Sequence, residues 1–146
     1  MRKELILARL ETLYDDYLRT VDKLERERKP ADGLLGLRPG PADDPCHDRF
    51  AADLDELMKA CAAAGPDSAE SAALLRYLFT APEAFRELKS AYWMLIAVQG
   101  LGACLIGRLS PADAQALAEL FASRYPRRER LPVQTQLLKR LRQQAL

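Results

Sequence analysis

"AYWMLIAVQGLGACLIG", residues 91–107, is the most hydrophobic stretch of the chain, and its reading decides the fold. Two architectures compete for it: a membrane span and the central helix of a globular helical protein. A span wants about 20 consecutive predominantly apolar residues. This run has 17, includes Gln99 and three glycines, and has no second candidate elsewhere in the chain. A helix that is apolar on all sides belongs inside a bundle, so no membrane association is expected. Gly100, Cys104 and the Ala103–Gly107 pair predict faces where neighbouring backbones approach closely, because an interior glycine costs up to about 1 kcal/mol against alanine. Gln99 must find hydrogen-bond partners there, as a core polar group or as the polar group of a pocket. Tyr92, Trp93 and Met94 read as core, with the lining of a ligand pocket between helices as the alternative.

Outward from this run, the signals are helical on both sides. "SPADAQALAEL" opens a helix with Ser110 as N-cap, Pro111 in the first turn and Asp113 at the positive end. It ends near Tyr125-Pro126, and a last helix spans about Pro132 to Ala145, with Val133, Leu137, Leu138 and Leu141 on its apolar side. Upstream, a helix from about Pro45 to Ala64 carries Phe50, Leu54, Leu57, Met58 and Cys61 on one face. Gly65-Pro66 ends it, and Asp67-Ser68 starts another whose Leu74, Leu75, Leu78 and Phe79 face inward. "APEAF" restarts a helical run at Pro82.

The first segment, about Arg2 to Arg28, spaces Leu7, Leu10, Tyr14, Tyr17, Val21 and Leu24 by 3, 4, 3, 4 and 3. That seam suits packing along another helix, in a bundle or in a homodimer. Residues 30–45, "PADGLLGLRPGPADDP", form a long Pro/Gly-rich loop. Its Leu34, Leu35 and Leu37 either cap one end of the core or, within 33–41, hook a partner. Alternation is absent and Ala, Leu, Glu, Arg and Gln dominate, so nothing reads as strand. The expected fold is a single all-α domain over residues 1–146, a bundle of about six helices around the buried 91–107 helix. A short α-α superhelix is the runner-up.

Composition narrows the class. At 146 residues, 49% apolar and 29% charged, the chain can bury a core and is wrong for a disordered protein. Net charge is only +1, yet it is unevenly distributed: residues 1–123 carry −5, and residues 124–146 carry +6 from seven Lys/Arg against one acid. Three widely spaced cysteines, with no CxxC pair and a charged N-terminus, suggest a reducing, cytoplasmic setting rather than a disulfide framework. Phosphate-loop, GxSxG and HExxH patterns are all missing. No cofactor is implied, and the balance leans away from an enzyme.

Two clusters remain. "ADDPCHD", residues 42–48, gathers Asp43, Asp44, Cys46, His47 and Asp48, with the chain's only histidine. Asp44 as N-cap and Pro45 at N1 explain it as a helix entry. Cys46 and His47 would then diverge by about 100°, which rules out a nucleophile–base pair. Nearby carboxylates raise a thiol's pKa against the helix dipole. Metal or ligand binding through these residues is the alternative. The second cluster is "RYPRRERLP", with Arg124, Arg127, Arg128 and Arg130, followed by Lys139, Arg140 and Arg142. Such arginines pair with the acidic remainder of the chain or recognise a partner's carboxylates. Nucleic acid is disfavoured by the near-neutral total and the lack of any module signature. The expected function is a non-enzymatic interaction or regulatory module acting through this surface. The rival is a small-molecule or metal-binding protein using Cys46 and His47 beside a pocket near Trp93 and Gln99.

Overall fold

The computed structural model describes residues 3–27 and 44–146. Among these residues there is no strand, and the fold is all-α with six α-helices: α1 (Lys3–Arg26), α2 (Cys46–Ala63), α3 (Ser68–Thr80), α4 (Lys89–Ala97), α5 (Pro111–Arg124) and α6 (Pro132–Gln144). Short 3-10 turns at Ala81–Phe85 and Arg127–Glu129 and a longer 3-10 segment at Val98–Arg108 complete it. Leu34, Leu35 and Leu37 of the Pro/Gly-rich loop lie outside the described residues, as does Asp43.

The helix starts follow local chemistry. Asp67 accepts the Glu70 N–H at 2.7 Å while Glu70 accepts the Asp67 N–H at 3.1 Å, a reciprocal capping box at the start of α3. Ser110 caps α5 by accepting the Asp113 N–H at 3.1 Å. Ser68 joins these two helix starts, because its hydroxyl donates to Asp113 and accepts the Ser110 N–H at 2.7 Å. α2 ends at Gly65, whose φ of +69° is the left-handed conformation that glycine adopts without a Cβ penalty. Arg108 donates to the Ala62 carbonyl at 2.7 Å, placing a cation on the negative end of α2.

α1 lays Ile6, Leu10, Tyr14, Tyr17 and Val21 into the core, and the helix packs against α2, α3 and α4. The heptad seam therefore faces helices of its own chain, with Leu7 and Leu24 only half-buried at its edge. Leu54, Met58 and Cys61 of α2, Leu74, Leu75, Leu78 and Phe79 of α3, and Leu117 and Phe121 of α5 fill the centre.

Residues 91–107 depart from the expectation of one uniformly buried α-helix. The α-helix gives way at Val98 to an 11-residue 3-10 segment, long for a geometry that usually runs three or four residues. Lys89–Arg108 is the one helical run among the described residues that is long and apolar enough to cross a membrane. Here the 3-10 segment packs against α2, α3 and α6. Only part of the run is inside: Leu95, Ile96, Val98, Gln99, Leu105 and Ile106 are buried, whereas Trp93, Ala97 and Cys104 are exposed.

The change of period explains which small residues matter. With three residues per turn, Leu101, Cys104 and Gly107 form one outward row, and Gln99, Gly102 and Leu105 form an inward one. A Cβ on Gly102 would lie 2.7 Å from Leu78 and 2.8 Å from Leu75, and one on Gly100 would lie 2.8 Å from Val133. Nothing lies within 4 Å of a Cβ on Gly107, so the Ala103–Gly107 pair expected from an α-helical spacing is not a packing point.

Candidate functional site

The Asp44–Asp48 stretch is a helix entry displaced by one residue from the expected assignment. Cys46 is the first helical residue and Pro45 occupies the cap position. The cap contact still comes from Asp44, whose Oδ1 accepts the Cys46 N–H at 2.8 Å while its carbonyl accepts the His47 N–H at 3.3 Å. That backbone bond is the main reason the Asp44 carboxyl sits below its ordinary pKa. Burial, then the Asp44 side chain, push the Cys46 thiol up to about 11, so thiolate is scarce near neutral pH.

Cys46 and His47 point apart as helix geometry requires: Cys46 is half-buried on a shallow cavity of about 190 Å³ with Asp16 and Asp53, while His47 is buried. Tyr17 of α1 meets His47, with its hydroxyl 2.6 Å from Nδ1. Tyr17 also stacks on Phe50, with centroids 4.2 Å apart and planes 8° from parallel. Burial raises the Tyr17 pKa, which keeps the phenol protonated. Asp48 is exposed. Among the described residues, no three of His, Cys, Asp and Glu gather to hold a metal ion. Nor do Cys46 and His47 lie beside Trp93 and Gln99: Trp93 lines a different cavity, and Gln99 sits in the core.

Elsewhere in the core, Gln99 is a satisfied polar group. Its Nε2 donates to the Tyr125 hydroxyl at 2.9 Å and to the Leu78 carbonyl at 3.3 Å, and its Oε1 accepts from Gln134 Nε2 at 3.1 Å. The Tyr125 hydroxyl in turn donates to the Phe79 carbonyl. Gln134 accepts the Leu131 N–H at 3.0 Å, which fixes the entry of α6. Four elements are thereby pinned together: α3, the 3-10 segment, the end of α5 and the start of α6. The sequence marked Gln99 but not Tyr125 or Gln134, because partners 26 and 35 residues away leave no local pattern.

On this frame stands the arginine turn. Pro126 and Pro132 interrupt helix on either side of it, and Arg130 Nε donates to the Tyr125 carbonyl at 2.8 Å, drawing the turn back onto the end of α5. Arg130 is thus partly structural. Arg124, Arg127 and Arg128 are exposed, and none has a salt bridge or side-chain hydrogen bond among the described residues. The salt bridges among the described residues join residues three or four apart: Arg19–Asp16, Arg26–Asp22, Lys59–Asp55 and Arg86–Glu83. Internal neutralisation of the arginine turn by the acidic part of the chain is therefore not what the described residues adopt.

The basic set is divided by α6. Arg130, Lys139 and Arg142 border an open groove of about 350 Å³ that has Leu138 and Leu146 in its lining. The charge of Arg140 instead reaches Cys104, on the side of the 3-10 segment. On the opposite flank of the turn, Tyr92, Trp93, Ile96 and Leu131 enclose a cleft of about 210 Å³. Buried Tyr125 and Gln134 form its inner wall, and Arg86 and Glu129 stand in its lining. Trp93 was expected in the core; it is 57% exposed, because α4 turns this face away from α1 and α2.

Comparison with known proteins gives no match of this chain to any family model, curated protein or solved structure.

Proposed function

We propose that the protein is a helical interaction module whose basic C-terminal surface, centred on Arg124, Arg127 and Arg128, docks onto an acidic surface of another protein. One observation carries this reading: the three guanidinium groups are exposed and, among the described residues, unpaired, at a turn tied to the core through Arg130, Tyr125 and Gln134. Arginine forks on a preorganised turn suit bidentate capture of carboxylates, and less freedom is lost on binding. The setting expected for it is the cytoplasm, with its three free cysteines kept as thiols.

The test is retention of cell-extract proteins on immobilised protein, comparing wild type with a triple Arg124→Glu, Arg127→Glu, Arg128→Glu variant. These side chains are exposed, so an unchanged melting curve verifies the fold of the variant. The expected result is a protein partner that survives nuclease treatment, is released between about 0.05 and 0.2 M salt, and is absent from the triple variant. Retention of the same proteins by both forms defeats the reading, and loss of all retained material on nuclease treatment replaces it with nucleic-acid binding.

A further inference from the structure

We infer that the cleft between Tyr92, Trp93, Ile96 and Leu131 is the anchor pocket of this interface. It takes one apolar side chain of an acidic peptide segment whose carboxylates lie across Arg127 and Arg128. The inference rests on the docking reading above and adds what the partner must carry.

Trp93 is the first reason. It is the only tryptophan in the chain, and with Leu5 and Leu146 it is one of three large hydrophobic residues exposed among the described residues. Its ring is braced edge-on against Tyr92, with centroids 5.7 Å apart and planes at 72°. An exposed aromatic that is already positioned loses little freedom on binding. Trp, Tyr and Arg are also the residues over-represented where interfaces concentrate their binding energy.

Size and polarity come next. At about 210 Å³, the cleft falls below the roughly 300–1,000 Å³ of small-molecule sites, and it matches a single leucine or aromatic side chain. Its inner wall is held in place by the glutamine–tyrosine network. Gln134 uses one amide N–H on Gln99, and its second has no acceptor among the described residues. A backbone carbonyl of the docked segment beside the anchor would provide one.

Charge then sets the direction. Arg86 is already engaged by Glu83 at 3.1 Å, and Glu129 stands in the cleft lining, so acids directly over that side are repelled. Arg127 and Arg128, in the same turn as Glu129, are exposed and have no ion-pair partner among the described residues. The anchor therefore sits beside Trp93 and the acidic residues extend toward the arginines. Like-charge and opposite-charge placement of this kind fixes the register of a bound segment.

The probe is a library of random dodecapeptides displayed on phage and selected on the immobilised full chain, with the enriched peptide then made in fluorescein-labelled form. Enrichment of one apolar residue flanked on one side by Asp and Glu is expected. Binding should shift Trp93 emission to the blue in the wild type. By peptide anisotropy, affinity should fall at least about tenfold in Trp93→Ala, in Arg127→Glu/Arg128→Glu, and when the peptide's apolar residue is replaced by serine. An enriched peptide that binds Trp93→Ala as tightly as wild type but loses affinity for Arg127→Glu/Arg128→Glu overturns the anchor pocket and leaves the basic docking surface standing. Equal binding to both variants, or no enrichment over a bare support, overturns both.

Discussion

Two regions of the molecule each set a tyrosine hydroxyl against a buried polar side chain, and they close in different ways. Between α1 and α2, the Tyr17 hydroxyl lies 2.6 Å from His47 Nδ1, with the stacked Phe50 beside it. Between α3, α5 and α6, Gln99 makes two donations and one acceptance, Tyr125 relays to Phe79, and Gln134 returns to the backbone of Leu131. The first holds Cys46 and the chain's only histidine, and among the described residues no three metal-ligating side chains gather there. The second holds ordinary amides and a phenol, and it ties together the segments on either side of the arginine turn. The conspicuous composition of residues 44–48 and the exposed arginines of the 124–128 turn lie in different parts of the fold.

The comparison breaks most readily at Gln99. Gln99→Leu removes the acceptor for Gln134 and the donor to Leu78 and Tyr125, leaving several buried groups unmatched. The expected loss is about 3 kcal/mol by denaturant melting. Tyr17→Phe removes one bond to His47 and should cost about 1 kcal/mol. Equal losses for the two would show that removing the amide at the centre of the network costs no more than removing one hydroxyl contact.

Next in size is a steric contrast within the 3-10 segment. Gly102→Ala places a Cβ 2.7–2.8 Å from Leu75 and Leu78, and overpacking of this kind costs about 1–3 kcal/mol. Gly107→Ala meets nothing within 4 Å and has no positive φ, so it should leave stability unchanged or raise it by up to about 1 kcal/mol through the unfolded chain. Opposite signs at the two glycines would confirm that the Gly102 face is packed against α3 while the Gly107 face is open; matching losses would contradict that packing.

The three-residue period of the 3-10 segment marks the boundary of what could be read from the residues alone. Helix starts at Asp67 and Ser110 were legible because caps are local, and the α1 seam because heptad spacing is local. The switch from 3.6 to 3 residues per turn at Val98 was not, since it depends on how Gly100 and Gly102 meet Val133, Leu75 and Leu78 from elsewhere in the chain. The same limit applies to the sites. Four arginines and a histidine stood out by type, while Tyr17, Tyr125 and Gln134 became visible only when the fold brought distant segments together. Trp93 was misplaced because a uniformly apolar run carries no phase to say which side faces solvent.

A smaller effect is expected at the entry of α2. Asp44→Ala removes the acceptor for the Cys46 N–H, a cap worth about 1 kcal/mol. The folded Asp44 carboxyl lies below its ordinary value, so the charged cap contributes fully above the unfolded pKa of about 3.9 and fades as pH falls through the lower folded value. The gap between wild type and Asp44→Ala in chemical denaturation should therefore be constant from about pH 7 to 5 and shrink below about pH 4. A gap that instead widened on acidification would contradict the cap assignment.

The smallest effect tests whether every buried tyrosine in the His47 region contributes through its hydroxyl. Tyr14 is 1% exposed, and its ring meets Phe50 and Tyr77 edge-on with centroids 5.1 Å away in both cases. Its hydroxyl has no hydrogen-bond partner among the described residues, and burial raises its pKa. Tyr14→Phe keeps the ring contacts and removes a desolvated group that forms no bond, so the expected change is between zero and a gain of about 1 kcal/mol. Tyr125→Phe removes a hydroxyl that both donates and accepts and should lose about 1–3 kcal/mol. The two substitutions are chemically identical and differ only in what surrounds the oxygen. A loss at Tyr14 as large as at Tyr125 would mean that the α1 region holds a second polar network, and the contrast between the two regions would no longer stand.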